Sequence, residues 1–198
     1  MDANAGAEVS KELSDQEAVV ASLRDRDMFR VLVEKYHPLL TRYVSRLGAD
    51  PEAAMDIVQE SFVKAYVNLN DFDQSRSFNA WIYAITHNMA MDHFRTQRSR
   101  PQPIDLTEHA ETLEDMDTHT IEHELDMHLD AGRLRQALKQ IPARYFDVLV
   151  LRFFEEKNYD EIADILHLPP GTVSTYLTRG KAELRAVLTE GSGNKGVL

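Results

Sequence analysis

Cysteine is absent from the 198-residue sequence, which excludes disulfide bonds, thiolate zinc sites and thiol redox switches. Long apolar segments are absent too. The longest runs only from Ala80 to Ile85, far short of the ~18 residues that span a bilayer. The N-terminus is polar and lacks the apolar core of a signal peptide. No segment alternates apolar and polar residues as a strand would. These absences predict an all-α protein of the cytoplasm that does not insert directly into a membrane.

Basic side chains are few: 22 Lys and Arg stand against 33 Asp and Glu, giving a net charge of −11. Such a balance is unusual for a protein that binds nucleic acid. The charge is unevenly placed, however. Residues 1–27 hold 3 basic and 7 acidic side chains, and residues 99–132 hold 1 and 10, whereas residues 133–198 hold 10 and 8. The excess acid therefore lies outside the C-terminal part of the chain.

The segment from Asn158 to Leu188 predicts two short helices joined by a tight turn. Asn158 and Glu161 have the spacing of a capping box, which starts the first helix. That helix has Ile162, Ala163 and Leu166 spaced for one buried face. Proline at 169 and 170 ends the first helix, and the second proline can occupy the first turn of the next.

The second helix has an apolar stripe on one side and a polar leading end on the other. The stripe consists of Val173, Leu177, Leu184 and Leu188, with Gly180 where another helix could approach closely. A polar leading end is what a helix-turn-helix places in the major groove of DNA. From this segment alone, an ordinary helical hairpin with a solvated face remains an alternative.

The rest of the chain predicts further helices in two groups. Ser14 opens a first helix through a capping box, Asp50 caps another, and Ser77 caps a long helix ending near Arg98. On the Asp50-capped helix the inward residues are expected to be Ile57, Phe62, Val63 and Tyr66. We therefore expect two small helical domains joined by an acidic linker, the C-terminal one a helix-turn-helix. The expected segments are a mobile N-terminus (1–14), a first domain (15–98), the linker (99–130), a second domain (131–188) and a polar tail (189–198).

Two sets of motifs occur in order along the chain. The first comprises residues 56–66 (DIVQESFVKAY), 78–83 (FNAWIY) and 88–95 (NMAMDHFR). The second comprises residues 141–142 (IP), 149–154 (LVLRFF), 159–163 (YDEIA) and 171–173 (GTV), with Leu177. Together they resemble the extracytoplasmic-function group of bacterial RNA polymerase sigma factors. This resemblance implies an initiation factor that binds core RNA polymerase and promoter DNA.

By the resemblance, the first domain both docks on polymerase and opens the promoter. Asp56, Gln59 and Glu60 would contact the clamp helices of the largest polymerase subunit, where acidic groups suit a basic partner. The alternative is an ordinary solvated helix face. The residues that would contact the opened −10 strand are Phe72, Phe78, Trp81, Asn88, Arg95 and Arg98. The alternative for Phe78 is that it packs in the hydrophobic core instead of contacting DNA. For Trp81 we prefer that alternative.

By the same resemblance, the second domain would bind the −35 element as duplex. Its DNA-contacting residues would be Thr172, Ser174, Thr175, Thr178, Arg179 and Lys181. The chain departs from the family where basic residues are common, at Ala84 and His87 in the first domain and at Ser174 to Tyr176 in the second. Pro169 also stands where a hydroxyl cap is expected. An anti-sigma factor is a further expected partner.

An enzyme is the main alternative class. His119, His123 and His128 cluster in the acidic segment, and the first two have the spacing of helical zinc ligands. Thr120 stands where the zinc-protease pattern requires Glu, so we expect no catalytic residue, metal or cofactor. A DNA-binding regulator that does not engage polymerase is a third class. The first motif set argues against it, since such a protein needs no domain for capturing single strands.

Overall fold

The protein is described by a computed structural model, in which residues 13–98, 121 and 131–190 are placed. These residues are helical or irregular, and none of them forms a strand. They fall into two compact units, one containing residues 13–45 and 49–98 and the other residues 46–48, 121 and 131–190. The predicted all-α architecture is confirmed. Most of the acidic segment, including Leu125, Leu129 and the three clustered histidines, lies outside the described residues, as do residues 1–12 and 191–198.

The described part of the first unit contains four α-helices and two short 3-10 turns. Its helices are α1 (Asp15–Arg24), α2 (Phe29–Arg46), α3 (Pro51–Val67) and α4 (Phe78–Arg98), with 3-10 turns at Arg26–Met28 and Leu69–Asp71. The predicted caps are present. The Ser14 capping box is complete, Asp50 accepts from the Ala53 amide at 2.8 Å, and Ser77 accepts from the Ala80 amide at 3.3 Å. Local capping therefore sets where these helices begin.

The core of the first unit lies between α3 and α4, with α1 and α2 completing it. Its most deeply buried side chains are Val19, Leu32, Leu40, Tyr43, Val58, Phe78, Ile82 and Tyr83. One expectation is wrong: Val63 is 60% exposed rather than inward. The reason is that α3 buries a face lined by the small residues Ala54, Ser61 and Ala65. Val63 lies about 200° around the helix from Ser61, and so it points outward.

Residues 131–190 of the second unit form four more helices. They are α5 (Ala131–Leu138), α6 (Ala143–Phe153), α7 (Tyr159–Leu166) and α8 (Pro170–Glu190). Its core is formed by Leu134, Leu138, Val148, Leu149, Leu151, Ile162, Ile165, Val173, Leu177, Leu184 and Leu188. Ile165 is the third buried residue of α7, and the predicted Leu166 is only half-buried. The predicted apolar stripe of α8 is confirmed.

Gly180 permits the closest approach between helices in the second unit. A Cβ built on it would lie 3.2 Å from Cβ of Tyr145 and 3.3 Å from Cγ and Cδ1 of Leu149. These distances are shorter than the 3.5–4.0 Å at which carbon atoms attract most strongly. The absence of a side chain at this position therefore lets α8 pack directly on α6, as the sequence predicted.

Candidate nucleic-acid and protein interfaces

The α7–turn–α8 segment has the geometry of a helix-turn-helix. The Glu161 amide donates to Asn158 Oδ1 at 2.9 Å, and the Asn158 amide donates to Glu161 Oε2 at 2.9 Å. His167 ends α7 in the left-handed conformation, with φ of 53°. The carbonyl of Pro169 accepts from the amides of Thr172 and Val173 at 2.8 and 3.2 Å. A backbone carbonyl thus stands at the helix start in place of the hydroxyl cap that Pro169 cannot provide.

The polar side of α8 presents two neighbouring rows of side chains. Ser174 and Thr178 form one row and Thr175 and Arg179 the other, each pair one turn apart, and all four are exposed. Thr175 and Thr178 donate their hydroxyl protons to the carbonyls of Gly171 and Ser174, both at 2.9 Å. Their oxygen atoms retain lone pairs that can accept from a base amino group, and their methyl groups can contact thymine.

The remaining predicted residues of this helix are less accessible. Thr172 and Lys181 are half-buried, on the flanks of the exposed rows. Arg179 is therefore the exposed cation of the leading half of α8. Its guanidinium and that of Arg144 on α6 both lie close enough to the Tyr145 hydroxyl to lower the pKa of that phenol, the effect of Arg144 being the larger. The sequence did not identify Arg144 or Tyr145 as neighbours of the recognition helix.

Three aromatic residues pack together where the loop after α3 meets the start of α4. Ring centroids lie 5.8 Å apart for Phe72 and Phe78, 4.8 Å for Phe72 and Trp81, and 5.7 Å for Phe78 and Trp81. Phe72 is 7% exposed and Phe78 only 1%. Both rings are therefore almost fully buried, and their predicted contact with the −10 strand stays a prediction. Trp81 is half-buried and rests on them.

A polar stripe continues along α4 from Trp81. Asn88, Asp92 and Arg95 follow it at helical spacing and are exposed. Arg95 is paired with Asp92 at 2.7 Å, so a DNA phosphate would have to compete with that carboxylate. The side chain of the last predicted residue, Arg98, lies outside the described part. Of the two atypical positions, Ala84 is buried, and His87 is buried with Nδ1 2.9 Å from the Tyr43 hydroxyl.

The loop between α3 and α4 is held by a residue that the sequence did not reveal. Gln16 on α1 donates its side-chain amide to the carbonyl of Gln74 and, at 3.0 Å, to that of Arg76. Within the loop, Asp73 accepts from the amide and the hydroxyl of Ser75 at 2.9 and 2.7 Å. These bonds, the hydroxyl one first, lower the pKa of Asp73. The loop therefore has a defined conformation next to Trp81.

The outward face of α3 combines acidic and apolar side chains. Asp56, Gln59 and Glu60 are exposed, as predicted for a docking face. Beside them lie three large apolar side chains: Met55 is 57% exposed, Val63 60% and Val67 68%. Apolar groups left in water along one helix face are a common mark of a protein interaction site. We call Met55, Asp56, Gln59, Glu60, Val63 and Val67 the α3 docking face.

Neither an ion site nor a membrane span is found in the described part of the chain. No group of three or more His, Asp or Glu side chains there could hold a metal ion. None of the helices described is both long and apolar enough to cross a bilayer.

Comparison with protein families agrees with the two units. The Sigma-70 region 2 family matches residues 32–100, and the Sigma-70 region 4 family matches residues 131–184. The sigma factor SigW of Bacillus subtilis is 30% identical over 176 residues, which cover 84% of this chain and 91% of SigW. The sigma-E factor of Haemophilus influenzae is 33% identical over 185 residues, covering 87% and 94%.

Two solved structures share the fold. One is CnrH in complex with the cytosolic domain of CnrY, with a TM-score of 0.66, 23% identity, and coverage of 89% of this chain and 97% of that one. The other is the sigma factor RpoE bound to the anti-sigma factor NepR from Bartonella quintana, with a TM-score of 0.56, 18% identity, and coverage of 81% and 96%. Sigma factors are initiation factors and not enzymes, in agreement with the expectation from the sequence. The chain belongs to the extracytoplasmic-function group of sigma-70 factors, which direct RNA polymerase to promoters.

Proposed function

We propose that the two units divide promoter recognition between them. The first binds core polymerase and the opened −10 element, and the second binds the −35 element as duplex. The observation that carries this proposal is the α4 stripe. In it Trp81, which packs on two buried phenylalanine rings, is followed along the helix by exposed polar side chains. The loop next to Trp81 is held by hydrogen bonds from Gln16. A repressor that binds only duplex DNA has no use for such a surface. The proposed segments are residues 15–98, 99–130 and 131–188.

The α3 docking face is the proposed contact with core polymerase. Its exposed apolar side chains supply buried area on binding, and Asp56 and Glu60 supply charge for a basic partner. An interface of this kind needs both parts, because surface charges mainly set orientation and association rate. Two substitutions test them separately. Val63→Glu removes apolar area, and the double reversal Asp56→Lys with Glu60→Lys inverts the charge.

The α4 stripe is the proposed path of the non-template −10 strand. Opening DNA costs a few kcal/mol per flipped base, which stacking and hydrogen bonds must offset. Trp81 offers the partly exposed ring, and Phe72 and Phe78 hold it in place. Asn88 offers an amide that can pair with a base edge. Arg95 would exchange Asp92 for a phosphate, which limits its net contribution.

The exposed rows of α8 are the proposed −35 contacts. Ser174, Thr175 and Thr178 lie where a major groove would place base edges. Arg179 can pair with guanine or with phosphate. Thr172 and Lys181, on the flanks of the helix, would contact the sugar–phosphate backbone and so position it.

An anti-sigma factor is a proposed regulatory partner. Membership of the extracytoplasmic-function group supports it, and the solved structure of RpoE with NepR is an example in a protein of the same fold. A protein that acts on polymerase and promoter DNA would work in the cytoplasm.

Transcription in vitro tests the proposal. The full chain with core polymerase should yield transcripts from a supercoiled promoter, and core alone should not. Val63→Glu and the Asp56/Glu60 reversal should each reduce co-purification with core, while the far-ultraviolet circular dichroism stays unchanged. Glu34→Lys is the control, because Glu34 is an exposed acid on a different helix, paired only with Arg30 in the described part. Normal co-purification of both α3 variants would remove the docking face from the mechanism.

A further inference from the structure

The leading half of α8 is short of cations for a helix that binds DNA. Residues 170–179 contain one basic side chain, Arg179. Affinity for duplex DNA depends on the number of phosphates that Lys and Arg neutralise. A second cation contributed by another element would therefore change the expected affinity substantially. The most suitable position is at the contact between α6 and α8.

The contact at Gly180 brings the start of α6 against the recognition helix. Cβ of Tyr145 would lie 3.2 Å from a Cβ at Gly180, so the Tyr145 side chain starts on the surface of α8. Its ring meets that of Tyr176 edge to face, with centroids 5.5 Å apart and an interplanar angle of 76°. Tyr145 is 5% exposed, and this packing fixes where its hydroxyl points.

Arg144, the residue before Tyr145, is exposed and lies against the same ring. Its guanidinium carbon is 4.7 Å from the Tyr145 ring centroid. The guanidinium groups of Arg144 and Arg179 both lie close enough to the Tyr145 hydroxyl to lower the pKa of that phenol, Arg144 more than Arg179. Two cations from different helices are thus placed beside one hydroxyl group. Both are exposed, and within the described residues neither has a carboxylate at ion-pair distance.

Two cations held together repel each other, and an anion placed between them relieves that repulsion. A phosphate suits the arrangement because guanidinium groups bind its oxygens through paired hydrogen bonds. A helix lying in the major groove is flanked by sugar–phosphate backbone, so a residue beside that helix meets phosphate rather than base edges. Glu183 is the acidic group that acts on Arg144 from α8, and its influence is weaker than that of the tyrosines.

We propose that Arg144 is a DNA-contacting residue, which forms with Arg179 a two-arginine clamp on one phosphate of the −35 duplex, and that Tyr145 positions both. This rests on the proposed role of α8 at the −35 element. The clamp supplies from α6 a cation that the leading half of the recognition helix lacks. Because it binds phosphate, it adds affinity without adding base specificity.

The test uses holoenzyme made from the full chain and core polymerase, bound to promoter duplex over a range of salt concentrations. One lost phosphate contact lowers the slope of log affinity against log salt by about 0.9. Arg144→Ala should lower the slope by up to that amount, since Arg179 still contacts the phosphate, and should weaken binding equally at promoters with matched and altered −35 bases. Tyr145→Phe keeps the ring but loses the hydroxyl, and should give a smaller change in the same direction.

Arg42→Ala is the charge-matched control, because it removes the same charge from an exposed position on α2, a helix of the first unit that takes no part in the proposed −35 contacts. It should leave the slope unchanged. A slope for Arg144→Ala equal to that of the wild type would overturn the proposal. So would a loss confined to co-purification with core, because the partner of Arg144 would then be protein.

Failure of the proposed −35 contact and failure of the clamp give different results. If wild-type holoenzyme does not favour promoter over unrelated duplex, the proposed function of α8 is wrong. If it does, and Arg144→Ala behaves as the wild type, only the clamp is wrong. Circular dichroism of each variant should match the wild type, since Arg144 is exposed in the first turn of α6.

Discussion

Replacing Gly180 by alanine tests whether close packing of α8 on α6 holds the recognition helix in place. The new Cβ would lie 3.2 Å from Cβ of Tyr145, an atom fixed to the α6 backbone, and 3.3 Å from the fully buried Leu149 side chain. Overpacking of this kind costs about 1–3 kcal/mol. Alanine also improves helix propensity by about 1 kcal/mol. We therefore expect Gly180→Ala to lower the free energy of unfolding by about 1 kcal/mol.

Gly171 offers a matched control on the same helix. A Cβ built there has no atom within 4 Å, and its φ is not positive. Gly171→Ala should therefore keep the propensity gain, a few tenths to about 1 kcal/mol, without the steric cost. The two variants should differ by about 1.5–2 kcal/mol in urea unfolding followed by circular dichroism. Hydrogen exchange in peptides from α6 and α8 should rise only in Gly180→Ala.

The same substitution should also affect promoter binding. Relief of the steric contact moves α8 away from α6, which separates Arg179 from the Tyr145 hydroxyl. Gly180→Ala holoenzyme should then bind a −35-dependent promoter less tightly than wild type. If Gly180→Ala is at least as stable as Gly171→Ala, the helices do not need the missing side chain, and the account of this contact is refuted.

Three further predictions concern other sites. Asn88→Ala should impair promoter opening more than core binding, and a normal permanganate footprint at the −10 thymines would remove Asn88 from the mechanism. Gln16→Ala removes both side-chain bonds to the carbonyls of Gln74 and Arg76, so amide exchange in residues 72–77 should quicken and opening should slow. Unchanged exchange there would show that the loop does not depend on Gln16. Burial raises the pKa of Asp147 to about 7, whereas an unfolded Asp titrates near ~3.9. Between these two pKa values the folded state therefore holds a proton that the unfolded state has released. The free energy of unfolding consequently falls as pH rises through that range. Asp147→Asn should raise the urea midpoint at pH 8 but change it little at pH 4. An equal effect at both pH values would contradict a raised pKa for Asp147 in the folded state.

The sequence predicted the helices well because their ends are set by local residues. Ser14, Asp50, Asn158 and Pro170 each act on amides or dihedral angles within one turn, so their pattern is visible in a short window. Val63 was misplaced because an apolar residue is easily taken as buried. Small residues on the opposite side of α3 form the actual contact, and periodicity does not reveal which face packs.

The candidate site was predicted only where a helix face defines it. The exposed rows of α8 follow from spacing, whereas the roles of Asn88 and of the acidic residues of α3 were expected from the family resemblance. The burial of Phe78 depends on packing against Phe72 and Tyr36, so it cannot be predicted from the residues next to Phe78 in the sequence. The pairs Gln16–Arg76 and Tyr145–Arg179 join residues far apart in the chain, so no local pattern reveals them.

The charge distribution leads us to expect that promoter binding depends on polymerase. Residues 28–98 hold 8 basic and 8 acidic side chains and residues 133–198 hold 10 and 8, so neither part carries a strongly basic surface. Residues 99–132, which connect them, hold 1 basic and 10 acidic side chains and repel a duplex. We expect polymerase to overcome this by presenting both units together, because the second contact then occurs at high effective concentration. Replacing the Asp and Glu of residues 105–130 by Asn and Gln should raise the affinity of the free chain for duplex at low salt. The gain should shrink as added salt screens the repulsion, and it should be small in holoenzyme, where polymerase supplies the pairing of the two units. Equal affinity of the neutralised and native free chains at low salt would show that the acidic segment does not limit binding.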